Sequence, residues 1–334
     1  MNILKRRRHT SSKVIRVAIS VNLGALNIVK EMIDKKDELA IGVIKADNGA
    51  TIIDAGIKAK GGFMAGKYIT EVCLGGYGKA SLCYFDHSGL SLPKIFVSTD
   101  YPAISLLGSQ FAGWRISVGK YFAMGSGPAR AIPMKPKEIY SKIKYQDSAD
   151  AAVIVLETSE EPTVDALDYI SKECKVSPNN LYVILTPTSS VAGSTQISGR
   201  IVETGLHRLV ELGFDPLKVL YGCGQAPIAP SHPKATKAMG RTNDMLMYGG
   251  ETFFIVDTED DQEITKLLER APSSSSPAYG QPFYEIFKAA NFDFYKIDPA
   301  LFAPASITIN NMRTGNTFSA GKINPEIVKK SVGL

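Results

Sequence analysis

An arginine and a glutamate three residues apart, Arg200 and Glu203, stand in a stretch without other charges, QISGRIVETG at 196–205. The spacing predicts that both side chains share one face of a helix, since three residues turn an α-helix by about 300°. A carboxylate beside a guanidinium in a cleft stays ionised and can take a proton from water, while the arginine orients an anionic or carbonyl oxygen. The pair is therefore a candidate site for metal-free hydrolysis. The alternative is an ordinary ion pair on a helix surface, which is the more frequent origin of this spacing.

A second candidate group lies in the glycine-rich segment at 121–130, where Ser126 and Gly127 precede Arg130. Small residues let backbone N–H groups approach a ligand, and the arginine adds positive charge, so the segment could hold an anion. It matches neither the Walker pattern nor the dinucleotide fingerprint. A purely structural turn is the alternative.

Two further polar clusters are candidates for ligand contacts. Thr188 belongs to a hydroxyl-rich loop at 186–190 that leads into the predicted Arg200/Glu203 helix, and helix capping is its alternative role. Asn243 and Asp244 end the segment at 238–244, where they could contact the donor and acceptor edge of a heterocycle or cap a turn.

The distribution of charge argues against nucleic-acid binding. The chain has 334 residues and a net charge of +5, but six basic residues and no acidic ones lie within the first sixteen. The remainder is nearly neutral, so the positive surface expected of a nucleic-acid binder is missing outside this extension. We expect residues 1–19 to be a disordered basic tail.

Other sequence features indicate the cellular compartment and argue against membrane contact and metal binding. No apolar run approaches the roughly 20 residues that a membrane span needs. The four cysteines and four histidines show no metal-binding spacing. We expect a cytoplasmic protein with reduced thiols, no bound metal and no membrane contact.

Hydrophobic periodicity predicts an α+β (mixed α/β) fold with an antiparallel first half and a βαβ unit in the second. The length fits two lobes, or one large domain with an internal division. A serine run at 273–276 is the most loop-like segment. Helices are predicted at 23–37, between the glycine pairs at 61–62 and 75–76, and at 102–111, 164–174, 194–212 and 325–332. Strands are predicted at 40–45, 51–54, 80–85, 95–98, 114–118, 152–156, 182–185, 306–310 and 317–319.

Several long segments, taken in order, resemble the methenyltetrahydromethanopterin cyclohydrolases. They are WRISVGKYFAMGSGPARA, QISGRIVETG, APIAP, AMGRTND, YGQPFYEIFKAANFDFYKIDP and LFAPA. The resemblance covers the chain from about residue 20 to its end. It implies reversible hydrolysis of the cationic N5,N10-methenyl bridge of tetrahydromethanopterin to the N5-formyl compound, in archaeal or methylotroph one-carbon metabolism. It also implies a homotrimer of two-lobed subunits that bind the pterin between the lobes, without a metal or prosthetic group.

We place the lobes where the predicted pattern changes, near Ala151. The first lobe then covers 20–148 and the second 149–300. Residues 301–334 form a C-terminal hairpin and helix that can return to the first lobe.

The resemblance also assigns roles to residues. Glu203 would be the general base that deprotonates the attacking water, and Arg200 would hold Glu203 and the developing formyl oxygen. The methenyl carbon is already an activated cation, so a base and an oxygen-orienting donor suffice. Gln110, Phe111 and Ala112 would line the site, with Gln110 contacting the water or the formyl oxygen. Phe111 stands where some members of the family are expected to carry lysine.

Two alternative functions remain open. The first is a non-catalytic pterin-binding carrier on the same fold, which the presence of both Arg200 and Glu203 disfavours. The second is a tetrahydrofolate enzyme, but the chain does not resemble the bifunctional folate dehydrogenase-cyclohydrolases and lacks a dinucleotide-binding fingerprint.

Overall fold

The computed structural model describes residues 19–334, and the predicted basic extension lies outside them except for its last residue. The strands of the described part are β1 Gly42–Lys45, β2 Thr51–Asp54, β3 Gly78–His87, β4 Leu90–Thr99, β5 Trp114–Val118, β6 Tyr121–Ser126, β7 Ala152–Glu157, β8 Leu181–Leu185, β9 Val219–Pro227, β10 Glu251–Val256, β11 Ser306–Asn311 and β12 Thr317–Gly321. The α-helices are α1 Val21–Asp34, α2 Phe63–Cys73, α3 Lys137–Ile143, α4 Val164–Cys174, α5 Val191–Ser198, α6 Ile201–Glu211, α7 Ala235–Gly249, α8 Asp261–Leu268, α9 Phe283–Ala289 and α10 Pro325–Val332. A π-helix covers Ala103–Gln110, and short 3-10 helices include Pro128–Ala131, Pro216–Lys218 and Ser273–Ser275.

The first sheet has the strand order β1-β2-β8-β7-β6-β5. Its central strands β7 and β8 are parallel and are joined through α4, as the βαβ prediction required. Nearly every residue of β7 is buried, which is typical of a strand covered on both faces. The outer pairs, β1 with β2 and β5 with β6, are antiparallel hairpins. Within this sheet, the antiparallel pairing expected of the first half and the βαβ unit expected of the second half are both confirmed.

The second sheet has the order β12-β11-β10-β9-β4-β3, in which the β10–β11 pair is parallel and the other pairs are antiparallel. The predicted C-terminal hairpin forms β11 and β12 and joins this sheet beside β10. Each sheet takes strands from both sides of residue 148, so strand pairing crosses the predicted lobe boundary. The arrangement is a mixed α+β fold, as the sequence predicted.

The predicted continuous helix at 194–212 is wrong, because the structure divides it into α5 and α6 at Gly199 and Arg200. The Arg200 amide donates to the carbonyl of Ile197, which is a tighter turn than the α-helical pattern. Close packing of α2 on α5 accompanies the break: a side-chain carbon on Gly199 would lie 2.5 Å from the Thr70 hydroxyl oxygen. Arg200 and Glu203 therefore do not lie on one uninterrupted helix.

Two other segments differ from the predictions. The serine run forms a 3-10 turn in which Ser273 is buried and its hydroxyl donates to the Met247 carbonyl, so it is an ordered part of the core. Asn243 and Asp244, for which capping a turn was the alternative role, lie inside α7. Within the described part of the chain, no helix is both long and apolar enough to cross a bilayer.

Candidate active site

Arg200 lies buried at the junction of α5 and α6 and connects several separate elements of the fold. Its guanidinium donates to the Gln110 carbonyl at 2.6 Å, to the Ser126 hydroxyl at 2.8 Å and to the side-chain oxygen of Gln196 at 3.2 Å. The Cys73 sulfur lies 3.9 Å from Nη2. Arg200 therefore joins the end of the π-helix, the end of β6 and α5.

The π-helix ends at this junction, and each of its last carbonyl groups has a partner. The last carbonyl groups of a helix have no N–H donor within the helix, and the helix dipole favours cations near its C-terminal end. Two buried arginines and a tyrosine supply most of the donors here. The contacts are Arg130 to the carbonyls of Leu107 and Ser109, the Tyr140 hydroxyl to Gly108, the Gly127 amide to Ser109, and Arg200 to Gln110. The π-helix is a rare conformation that is frequent at functional sites.

Glu203 lies in the first turn of α6 and is also buried, with 7% of its surface exposed. Among residues 19–334, no side chain or amide hydrogen-bonds its carboxyl group and no cation lies within 4.0 Å of it. The prediction that Arg200 holds Glu203 is therefore wrong for this structure. The break at Gly199 turns the guanidinium toward Gln110 and Ser126 instead.

Burial raises the pKa of Glu203 above its ordinary value, although the nearby charges of His207, Arg200 and Arg130 act in the opposite direction. The prediction that the guanidinium keeps this carboxyl ionised therefore underestimated the cost of burial. A raised pKa suits a general base, because proton transfer is most efficient when the pKa of the base lies near the working pH.

Gln110 presents an unpaired acceptor beside Arg200. Its side-chain nitrogen donates to the Gly199 carbonyl at 3.0 Å, which fixes the orientation of the amide. The Gln110 Oε1 is buried and has no partner among the described residues, and the same holds for the Gln196 Nε2. Leaving a buried polar group unpaired costs about 1–3 kcal/mol, so such atoms mark positions where a ligand can bind.

Ser126 and Arg130, from the second predicted cluster, lie in the same group but bond to protein. The Ser126 hydroxyl accepts from Arg200, and Arg130 is fully buried on the π-helix carbonyls. Gly127 has a φ of +92°, a conformation that favours glycine, and its amide donates to the Ser109 carbonyl. The cluster therefore contacts mainly the π-helix and Arg200, and the buried Arg130 Nε is a donor without a partner among the described residues.

Phe111 and Ala112 follow the π-helix and are partly exposed. The Phe111 ring stacks on His207 with centroids 4.7 Å apart, and its face lies 5.2 Å from the Arg130 guanidinium carbon. His207 lies four residues after Glu203, which places both on one face of a helix, although the sequence alone favours a packed or solvated histidine over a catalytic one. Cys73 and Tyr140 also lie at the site, and no local signal in the sequence predicts them.

The other predicted contacts bond elsewhere in the protein. The Thr188 hydroxyl bonds to the Glu157 carboxylate at the end of β7, while its neighbour Ser190 caps α5 as the alternative interpretation of that loop expected. The Asn243 amide donates within α7 to the Met239 carbonyl. Asp244 accepts from the Phe283 amide at 2.8 Å and from the Ser331 hydroxyl at 2.6 Å. The structure gives none of the three predicted residues a hydrogen bond to Arg200, Gln110 or Ser126.

A large cavity of about 800 Å³ lies apart from this group and is lined by residues 132–134, 146–149 and 172–175. It contains neither Arg200 nor Glu203, and its lining is mostly ordinary surface side chains. Among residues 19–334, no three His, Cys, Asp or Glu side chains are arranged to hold a metal ion. The unpaired buried groups around Arg200 are therefore the stronger candidate for the site of chemistry.

Comparison with known proteins agrees with the resemblance seen in the motifs. A family model described as cyclohydrolase (MCH) matches residues 20–332. The methenyltetrahydromethanopterin cyclohydrolase of Methanothermobacter marburgensis is 50% identical over 319 residues, which are 95% of this chain and all of that protein. The enzyme of the same name from Methanocaldococcus jannaschii is 49% identical over 318 residues, 94% of this chain and 98% of the relative. That of Methanosarcina barkeri is 46% identical over 317 residues, 95% of this chain and 99% of the relative. The chain belongs to the cyclohydrolase (MCH) family.

Proposed function

We propose that this protein catalyses the reversible hydrolysis of 5,10-methenyl-tetrahydromethanopterin to 5-formyl-tetrahydromethanopterin, with Glu203 as the general base. The observation that carries the proposal is a buried glutamate without a protein partner in a chain that matches cyclohydrolases along 95% of its length. Burying a carboxyl without a partner lowers the stability of the fold, and a role in proton transfer explains why Glu203 is nevertheless buried.

The reaction requires removal of one proton in each turnover. Water adds to the cationic methenyl carbon, and the bond from that carbon to N10 breaks. One of the water protons ends on N10, and the other leaves as H⁺. Glu203 takes a proton from the water as the oxygen–carbon bond forms, which avoids a positively charged adduct.

Arg200 positions the site and stabilises the developing oxygen. A guanidinium has five N–H groups. One N–H of the Arg200 Nη1 donates to the Gln110 carbonyl, and the second N–H of Nη1 has no acceptor among the described residues. We assign this N–H to the oxygen that becomes the formyl group, on which negative charge develops as the hydroxyl of the adduct gives up its proton.

Gln110 is proposed to orient the attacking water. Its unpaired Oε1 can accept one water proton in a hydrogen bond while Glu203 removes the other. Phe111 and Ala112 form a partly exposed wall suited to a flat heterocycle. Ser126, Gly127 and Arg130 act by holding Arg200 and the π-helix.

Thr188, Asn243 and Asp244 are kept as proposed substrate contacts. Their polar groups would exchange their present protein partners for the pterin or its side chain. Asp244 is the most firmly held of the three, because it bonds to both α10 and the start of α9.

We further propose that the enzyme needs no metal or prosthetic group, since its substrate is already an activated cation. It would bind the pterin in a cleft between two lobes, act as a homotrimer in the cytoplasm, and bind no nucleic acid. The near-neutral composition beyond the first sixteen residues supports the last point.

The test is the loss of near-ultraviolet absorbance when the purified protein is mixed with methenyl-tetrahydromethanopterin. We expect rapid loss with the wild type and with the control Glu326→Gln, which changes an exposed glutamate of α10. Glu203→Gln should bind the substrate but turn it over at least about 100-fold more slowly. Binding without turnover by the wild type would favour the carrier, and full activity of Glu203→Gln would exclude the general-base role.

A further inference from the structure

Three ionisable side chains follow one another along a single face of α6. Glu203, His207 and Glu211 are spaced four residues apart, so each lies about one helical turn from the next. Their exposure rises along the series. Glu203 is 7% exposed, and the side chains of His207 and Glu211 are 28% and 36% exposed. The series leads from the buried carboxyl to solvent.

His207 is held in place from both sides. Its ring stacks on Phe111 at 4.7 Å and 30°, and its Nδ1 lies 3.9 Å from the Glu211 carboxylate. Phe111 directly follows the π-helix, whose last carbonyl Arg200 binds. Stacking uses the face of the imidazole and leaves the nitrogen edges available for proton transfer.

We propose that His207 relays the proton released in each turnover from Glu203 toward Glu211 and solvent, through intervening water, because both carboxyl groups lie beyond hydrogen-bond distance of its ring. This inference rests on the proposed function, because only a hydrolytic cycle loads Glu203 with a proton. An imidazole is the side chain best suited to accept and release protons near neutral pH. His207 acts through Glu203 and has no assigned contact with the substrate.

The other groups around Glu203 are poor proton carriers. Arg200 and Arg130 are guanidiniums whose N–H groups already donate to backbone carbonyls. Burial raises the pKa of the fully buried Cys73 thiol of α2, so it stays neutral. Unlike these three groups, His207 can carry a proton and also extends toward solvent.

Groups on the elements packed around α6 have other partners. The strands β9 and β10 meet the opposite face of the helix, where Thr252 and Phe254 lie against Gly205. Lys218 from the neighbouring 3-10 helix pairs with Glu263 at 3.0 Å. Arg208 donates to the Arg270 carbonyl and lies 3.5 Å from the Glu211 carboxylate at the end of the series.

The test compares wild type with His207→Phe, which keeps an aromatic ring against Phe111 but cannot carry a proton. We expect kcat for hydrolysis to fall by about tenfold in dilute buffer. Added imidazole should restore most of the loss, because a small base can replace a missing relay. The acid limb of the kcat/KM profile should move to higher pH, since the substitution removes the influence of His207 that lowers the pKa of Glu203.

His207→Gln, which is polar but does not titrate, is the second variant if the phenylalanine variant fails to fold. His87→Phe, at the end of β3, is the matched control and should behave as wild type. An active wild type together with a His207 variant of unchanged rate, pH profile and buffer dependence would overturn the relay and leave the function intact. A loss of activity that imidazole does not restore would assign His207 a purely structural role. An inactive wild type would overturn both proposals.

Discussion

Replacing Glu203 by glutamine is expected to stabilise the protein while abolishing its activity. The carboxyl is buried, accepts no hydrogen bond from the described residues, and has a raised pKa. Ionising this carboxyl in the folded protein therefore costs free energy, and glutamine has no such cost. Stability lost to an active-site group is a recognised trade-off.

The size of the gain follows from the environment of the group. An unpaired buried polar group costs about 1–3 kcal/mol, and a charged one costs more. The charges of His207, Arg200 and Arg130 offset part of that cost, and the glutamine amide would itself lack partners. We expect a net increase of about 1–3 kcal/mol in the free energy of unfolding at pH 8.

The stabilisation expected from Glu203→Gln depends on pH in a definite direction. A carboxyl whose pKa is higher in the folded than in the unfolded state binds more protons when folded, so its penalty grows as pH rises from the ordinary value of 4.5 through the raised one. The advantage of Glu203→Gln should be larger at pH 8 than at pH 4, where it should vanish. Urea unfolding followed by circular dichroism at both pH values measures it, with Glu326→Gln as control. Equal gains at both values, or a less stable variant at pH 8, would refute the argument.

Two further substitutions test the supporting contacts. Arg200→Lys keeps the charge but loses the forked donors to Gln110 and Ser126, and we expect kcat to fall by about 100-fold in the absorbance assay with little gain from added imidazole. A rate within threefold of wild type, roughly, would mean that charge alone suffices. For Asp244→Asn, burial raises the pKa of Asp244 to about 7 from 3.8, so the wild type loses stability as pH rises between those values. The variant should lack this loss, which is roughly 4 kcal/mol in the free energy of unfolding between pH 4 and pH 8. Unfolding measured at both pH values tests this. Identical pH dependence of the two proteins would show that the carboxyl does not titrate in this range.

Local sequence signals predicted the elements that depend on local chemistry. The β7–α4–β8 unit was placed within one or two residues, because two buried apolar runs flank an amphipathic segment that Thr163 caps. The C-terminal hairpin and α10 were predicted equally well. The family was also correct, since long motifs carry it.

Features that depend on distant contacts were not predicted. The break between α5 and α6 coincides with close packing of Gly199 on Thr70, which no local pattern encodes. The expected Arg200–Glu203 contact is replaced by bonds from Arg200 to Gln110 and Ser126, which are distant in sequence. The exchange of strands between the two halves likewise depends on pairings such as β4 with β9, whose members lie more than a hundred residues apart.

The capped π-helix has a consequence for synthesis of the chain. Its last carbonyl acceptor, on Gln110, is made 90 residues before its donor Arg200. A ribosome adds about 5–20 residues each second, so several seconds separate the two events. During that interval the nascent first half carries its π-helix segment and Arg130 but lacks the group that completes the end. The geometry needed for hydrolysis therefore arises only when the second half of the polypeptide has emerged and folded back onto the first.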